Sequence, residues 1–167
     1  MRYTVVVTRP QREFECKREL TEKFAVDGSG EVDVFLPVLK IRKKTRFAKK
    51  PTVFDRPLFG NYLFVAFEQE DRWKQLHAAW SVVTVLKNCG QPLYVGENVM
   101  AAIKRSDWFV DTLAKNKMRF GLGEKVRVKE GPFQSALATV TGPTSVDIMV
   151  FGRMTKVTVD HEWLEAV

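Results

Sequence analysis

Apolar positions along this 167-residue chain recur with two different periods, and the changes between them mark the elements. Tyr3-Thr4-Val5-Val6-Val7 is a β-branched run that predicts a central, mostly buried strand, broken by Thr8-Arg9-Pro10. Between Glu13 and Phe24, the residues Phe14, Leu20 and Phe24 recur at roughly helical spacing, with Cys16 and Lys17 between them. Alternating acids and bases fill the other face, which predicts an amphipathic helix lying on a sheet. Asp27-Gly28-Ser29-Gly30 supplies the turn that ends it. Val32, Val34 and Leu36 then alternate with Asp33 and Phe35, giving a second strand that runs to Pro37. Pro57-Leu58-Phe59-Gly60-Asn61 is a turn into Tyr62-Leu63-Phe64-Val65-Ala66-Phe67, the strongest strand signal in the chain. Asp71 in an N-cap position predicts a helix through Trp73, Leu76, Ala79 and Trp80. Residues 82–86 read as a strand, 88–92 as a turn and 93–95 as a short extended piece. Residues 98–111, with Met100, Ile103, Trp108 and Val110 among charges, read as a third helix. The order β-α-β-β-α-β with a terminal helix describes an α+β fold. It is a ferredoxin-like split βαβ antiparallel sheet with helices on one face.

Beyond residue 112 the texture changes. Residues 113–121 are basic and aperiodic and read as a linker. Short alternating strands follow at Lys125 to Lys129, Leu137 to Thr141, Val146 to Phe151 and Met154 to Val159. Turns at Glu130-Gly131-Pro132, Thr141-Gly142-Pro143 and Phe151-Gly152-Arg153 separate them. Closely spaced strands of this kind predict a small β-barrel over residues 122–167, which closes its own edges. The expected division is therefore 1–112, a linker at 113–121, and 122–167.

Charge changes this picture in one place. Lys40, Arg42, Lys43, Lys44, Arg46, Lys49 and Lys50 fall within eleven residues that hold no acid, and these seven account for the whole formal net charge of +7. Seven like charges repel, so the block reads as a solvated loop or the exposed tip of a hairpin. A concentrated basic prong on an otherwise neutral protein points to a polyanion, because phosphate contacts with counterion release are cumulative. Nucleic acid is the expected partner and no membrane is. The longest apolar runs are far too short to span a bilayer, and residues 1–9 lack a secretory signal. Two cysteines, Cys16 and Cys89, suit a reducing cytoplasm. No metal or cofactor is expected: Cys16, His77, Cys89 and His161 stand alone, without the paired spacing that zinc needs. No nucleophile elbow or phosphate-cradling glycine loop is present, so an enzyme is not expected either.

Gly123-Glu124-Lys125-Val126-Arg127-Val128, Gly131-Pro132-Phe133 and Val150-Phe151-Gly152-Arg153-Met154-Thr155-Lys156-Val157 resemble the KOW, SH3-like domain of the NusG/RfaH family of bacterial transcription factors. The front half, from the opening strand to Trp108, resembles the family's N-terminal domain. The stretch from Pro57 to Val65 is closer to RfaH than to housekeeping NusG. The resemblance implies a cytoplasmic elongation or antitermination factor, expected as a monomer. Its N-terminal domain would dock on the clamp helices of the largest catalytic RNA polymerase subunit and suppress pausing. The docking positions implied are Val7, Leu58, Phe59, Tyr62 and Phe64. Tyr62 and Phe64 share one strand face, which should stay uncovered by the protein's own helices.

Arg9 corresponds to the region facing upstream or non-template DNA, and the basic block lies with it. At a base-contacting arginine of RfaH this chain has Trp80, which either stacks on an unpaired base or caps the helix as a core residue. Arg72, Trp73 and Lys74 correspond to a contact with the opposite jaw of the cleft. In the KOW half, Val150, Phe151, Arg153 and Met154 correspond to a loop that meets Rho or a small-subunit ribosomal protein. Ala138 replaces a family glycine, so its backbone must avoid positive φ. Strand-forming residues between Val146 and Val159 argue for a constitutive barrel, mobile on its linker, rather than one that refolds into helices. The alternative is a basic RNA-binding or ribosome-associated KOW protein.

Overall fold

The computed structural model describes residues 2–26, 31–44, 50–105, 108–111 and 119–167. The chain forms two compact units, Met1–Pro37 with Asn61–Arg105, and Val38–Gly60 with Ser106–Val167. Among the described residues no helix is long and apolar enough to cross a membrane.

The first unit is built on an antiparallel sheet of β1 (Tyr3–Thr8), β2 (Val32–Phe35), β5 (Tyr62–Phe67) and β6 (Val82–Val85), in the order β2-β5-β1-β6. A short β9 (Tyr94–Val95) also pairs with β1. The expected central strand is β1, with Val5, Val6 and Val7 all buried. Helix α1 (Glu13–Val26) buries Glu13, Cys16, Leu20 and Phe24. That stripe, spaced by three and four, is one helical face. Phe14, expected on it, lies off it and is 48% exposed. The ring of Phe24 meets Phe67 edge-on at 5.0 Å, so α1 covers the sheet face that carries Phe67. Where a helix capped by Asp71 was expected, the chain makes a 3-10 helix over Glu70–Ala78. Gln69 holds the cap position without a side-chain bond, so Asp71 lies inside the helix. A two-stranded ribbon, β7 (Lys87–Asn88) with β8 (Gln91–Pro92), turns through Cys89 and Gly90.

The third helix is shorter than expected. Helix α2 covers Glu97–Arg105, and Trp108–Asp111 forms strand β10 instead. Trp-Phe-Val is a strand-forming run, and here it pairs in parallel with β3 (Val38–Lys43) in the second unit. β3 pairs in turn with β4 (Thr52–Pro57), giving a three-stranded sheet. Lys40, Arg42 and Lys43 of the basic block thus lie on the first strand of a hairpin, while Arg46, Phe47 and Lys49 lie outside the described residues. The expected turn at 27–30 and residues 113–118 of the linker lie outside them too.

The remaining strands are β11 (Lys125–Val128), β12 (Leu137–Gly142), β13 (Ser145–Val150), β14 (Arg153–Thr158) and β15 (Leu164–Ala166). They form one antiparallel sheet of the KOW, SH3-like kind, ordered β14-β13-β12-β11-β15. Burial alternates cleanly along β11, β12 and β13, as expected for strands with one wet face. Ala138 sits in β12 and avoids positive φ; the left-handed residue nearby is Ser135. His161 is buried in this part and its Nε2 lies 3.2 Å from the Gly142 carbonyl.

The hairpin of β3 and β4 belongs with these strands. Phe59, just past β4, packs edge-on against Phe133 at 5.3 Å and tilted against Phe151 at 6.4 Å. Phe59, from the earlier chain, is therefore part of the packing of these strands.

Candidate nucleic-acid interface

Trp80 follows the 3-10 helix and is 53% exposed, which decides between its two readings against the core. Three residues hold it there. The Arg9 guanidinium lies 4.8 Å from the indole centroid, and its Nε donates to the Trp80 carbonyl at 3.0 Å. The Arg12 guanidinium lies 5.5 Å from the same ring. Glu19, on α1, accepts from the Trp80 backbone N–H at 2.8 Å, from the Ser81 N–H at 3.1 Å and from the Ser81 hydroxyl.

The local chain explains how both arginines reach one ring. β1 ends at Thr8, Arg9 donates its N–H to the Ser81 carbonyl, and Gln11 takes a positive φ of 64° to start α1. This tight corner puts Arg9 and Arg12 side by side. Burial works against the charge on Glu19, but the donors from Ser81 and Trp80 outweigh it and hold its carboxyl below the usual range. Arg12 also pairs with Glu15 at 2.6 Å, an exposed contact. The result is a solvated π surface beside two cations, a combination that stacks a base and neutralises its phosphates. Arg12 was not among the expected residues, although its place three positions from Arg9 in a corner next to a helix start was visible in the sequence.

Five of the other expected nucleic-acid residues are described. Lys40, Arg42 and Lys43 are exposed on β3, and Lys44 and Lys50 are exposed beyond it. Arg46 and Lys49 are outside the described residues. On β4, Arg56 faces Leu39, an exposed cation missed because it sits outside the basic run.

The expectation that the docking face is uncovered is corrected. Tyr62 is 3% exposed and Phe64 0%, and Val7, Leu58 and Phe59 are buried as well. All six residues of β5 are buried. The physical reason was present in the sequence: a strand with apolar side chains at odd and even positions alike is one whose two faces are both covered. Lys104 of α2 reaches the face that Tyr62 and Phe64 share. It lies over Tyr3 and Phe35 at 4.6 and 5.3 Å and pairs with Asp33 at 2.7 Å. Arg72 is also corrected. It is buried, with its guanidinium over Phe24 and Phe67, so it is not a surface contact. Trp73 is half-buried beneath Lys87 and Lys74 is exposed.

In the turn joining β13 and β14, Phe151 and Gly152 both have positive φ, 50° and 77°, as a two-residue hairpin turn requires. Val150 is buried, Phe151 is half-buried against Phe59, and Arg153 and Met154 are exposed. Among the described residues no group of histidines, cysteines and carboxylates could hold a metal.

The family model described as transcription termination factor NusG matches residues 1–104. The chain belongs to the NusG family. As a NusG-family protein it is a transcription factor and not an enzyme. A solved structure of Thermotoga maritima NusG is similar over 99% of this chain and 97% of that one, at 22% identity and a TM-score of 0.62, which shows the fold. The MjSpt4:Spt5 complex in conformations A and B is similar at 13% and 12% identity with TM-scores of 0.38 and 0.41, too low to argue from. Coverage is 99% of this chain in both cases, and 97% and 96% of the other.

Proposed function

We propose that this NusG-family chain is an elongation or antitermination factor that rides on RNA polymerase and touches displaced single-stranded DNA with Arg9, Arg12 and Trp80. The observation that carries this reading is the half-exposed indole with two guanidinium groups close to its ring. An aromatic left half in water beside two cations offers a surface for stacking, and stacking on an unpaired base contributes about 1–3 kcal/mol. Rigid bracing by Glu19 supports the reading, since a prepositioned ring loses little freedom on binding.

Docking on the polymerase clamp helices through Val7, Leu58, Phe59, Tyr62 and Phe64 would need side chains that are buried here, so the polymerase contact is proposed without assigning it to them. Arg153 and Met154, exposed beside the Phe151 turn, are the candidate surface for a second partner, Rho or a small-subunit ribosomal protein.

In vitro transcription with core polymerase tests the proposal, on a template carrying one pause and one Rho-dependent terminator. The chain should bind polymerase and shorten the pause. Trp80→Ala should keep polymerase binding while weakening its affinity for a single-stranded oligonucleotide about 5- to 150-fold, the stacking energy converted to a ratio. Salt-sensitive RNA affinity with no polymerase affinity would replace this reading with an RNA-binding KOW protein.

A further inference from the structure

The second unit contains an open groove of about 430 Å³ that the proposed function does not use. Its walls are Ile41, Lys43, Lys44 and Arg56 from the hairpin, with Pro143, Thr144 and Thr158 from the KOW-like strands. Three are cations, two carry hydroxyls, and none is an acid. Among the described residues no carboxylate lies within ion-pair distance of Lys43, Lys44 or Arg56. The arrangement is not an accident of a basic run. Lys43 and Lys44 follow one another at the end of β3, whereas Arg56 comes back on β4, where it faces Leu39. Thr144 lies in the turn between β12 and β13, and Thr158 ends β14. Thr144 is fixed through its carbonyl, which accepts the Val159 N–H at 3.1 Å, so the wall opposite the cations is held by backbone hydrogen bonding.

We propose that this groove binds a backbone phosphate of single-stranded nucleic acid, with Lys43, Lys44 and Arg56 neutralising the charge and the hydroxyls of Thr144 and Thr158 donating to phosphate oxygens. This rests on the nucleic-acid part of the function proposed above. Phosphate is the fitting chemistry, because converging cations with neutral donors and no carboxylate favour an anion rich in acceptors. A nucleic-acid backbone is favoured over a free phosphate because the groove is open to solvent rather than a closed cavity, which lets a strand pass through it. Ile41 and Pro143 add apolar lining, which suits the sugar beside the phosphate.

The test is a titration of the isotope-labelled full chain, followed by amide NMR, with a ten-residue thymidine oligonucleotide and separately with inorganic phosphate. The oligonucleotide should shift the amides of Thr144 and Thr158 together with those of Lys43 and Lys44. The uncharged threonines, distant in sequence from the basic run, report the groove itself. Lys43→Gln/Lys44→Gln/Arg56→Gln should abolish these shifts and lower the salt slope of oligonucleotide binding by about 0.7, the value for one phosphate contact. All three side chains are exposed, so the fold should survive, and Thr158→Val, which removes only a hydroxyl from a strand end, should weaken the shifts as a second check. Still threonine amides, an unchanged slope, or shifts with inorganic phosphate but none with the oligonucleotide would overturn the proposal. Polymerase binding and the Trp80→Ala effect, measured alongside, keep its failure separate from failure of the function proposed above.

Discussion

Asp33 shows how single residues set the pH limits of this molecule. It accepts from Lys104 at 2.7 Å and from the Tyr3 hydroxyl, while Lys104 also donates to Tyr3 at 2.5 Å. Burial opposes ionisation of Asp33, but the Lys104 and Tyr3 hydrogen bonds prevail and hold its carboxyl below the usual range. Burial likewise opposes the charge on Lys104, and the same partners outweigh it and raise the amine. A carboxyl depressed on folding adds stability above its unfolded range near 4, and that stability is lost as pH falls through the folded value. An amine raised on folding adds stability below about 10.4 and loses it as pH rises further. The triad therefore contributes between those limits. Both ionic side chains are more than a third exposed, so Asp33→Asn should cost only about 0.2–1 kcal/mol at pH 7. Urea midpoints of parent and variant should converge as pH falls through the depressed folded-state value of Asp33. None of this was legible in the sequence, because residues 3, 33 and 104 meet only once three elements are assembled. Trp80 was half legible: its chemistry could be named, but only the fold places two arginines against it.

At the scale of elements, strand periodicity was the most readable signal and the helical one the least. β1, β2, β5 and the first four strands after residue 124 were found where alternation or β-branched runs put them, while β15 was not expected. Helix α2 was extended too far because Met100 and Ile103 set a helical period that Trp108 and Val110 seemed to continue by chance. The pairing of β10 with β3, a long-range contact, decided otherwise. The face of β5 was misjudged for a different reason: alternation says which residues share a side, and only the absence of polar residues says that both sides are dry. The turn between β13 and β14 gives the sharpest prediction at this scale. A Cβ at Gly152 would meet nothing within 4 Å, so its φ of 77° alone sets the cost of substitution. Gly152→Ala should lose about 1–2 kcal/mol and lower Tm by several degrees in a thermal melt. Gly131→Ala should lose more, since its Cβ would also lie 3.0 Å from the Trp163 ring.

At the scale of the whole molecule, Phe59 ties the hairpin to the strands that follow residue 119. It is buried against Phe133, itself buried, so removing its ring leaves a cavity as well as lost contacts. Phe59→Ala should destabilise the second unit by about 3–5 kcal/mol. Hydrogen exchange should show faster amide exchange across β12, β13 and β14. A polymerase-binding defect in that variant would therefore report folding, and could not be read as a lost intermolecular contact.

The two units also alternate along the chain, so the backbone passes from one to the other at 37/38, again at 60/61 and a third time at 105/106. A single cut anywhere in the sequence cannot separate them. Splicing residues 122–167 onto a relative as a ready-made module would leave its partner hairpin behind. A chimera that transplants 38–60 together with 106–167 keeps the unit whole, and crossover points for engineered hybrids belong at those three junctions.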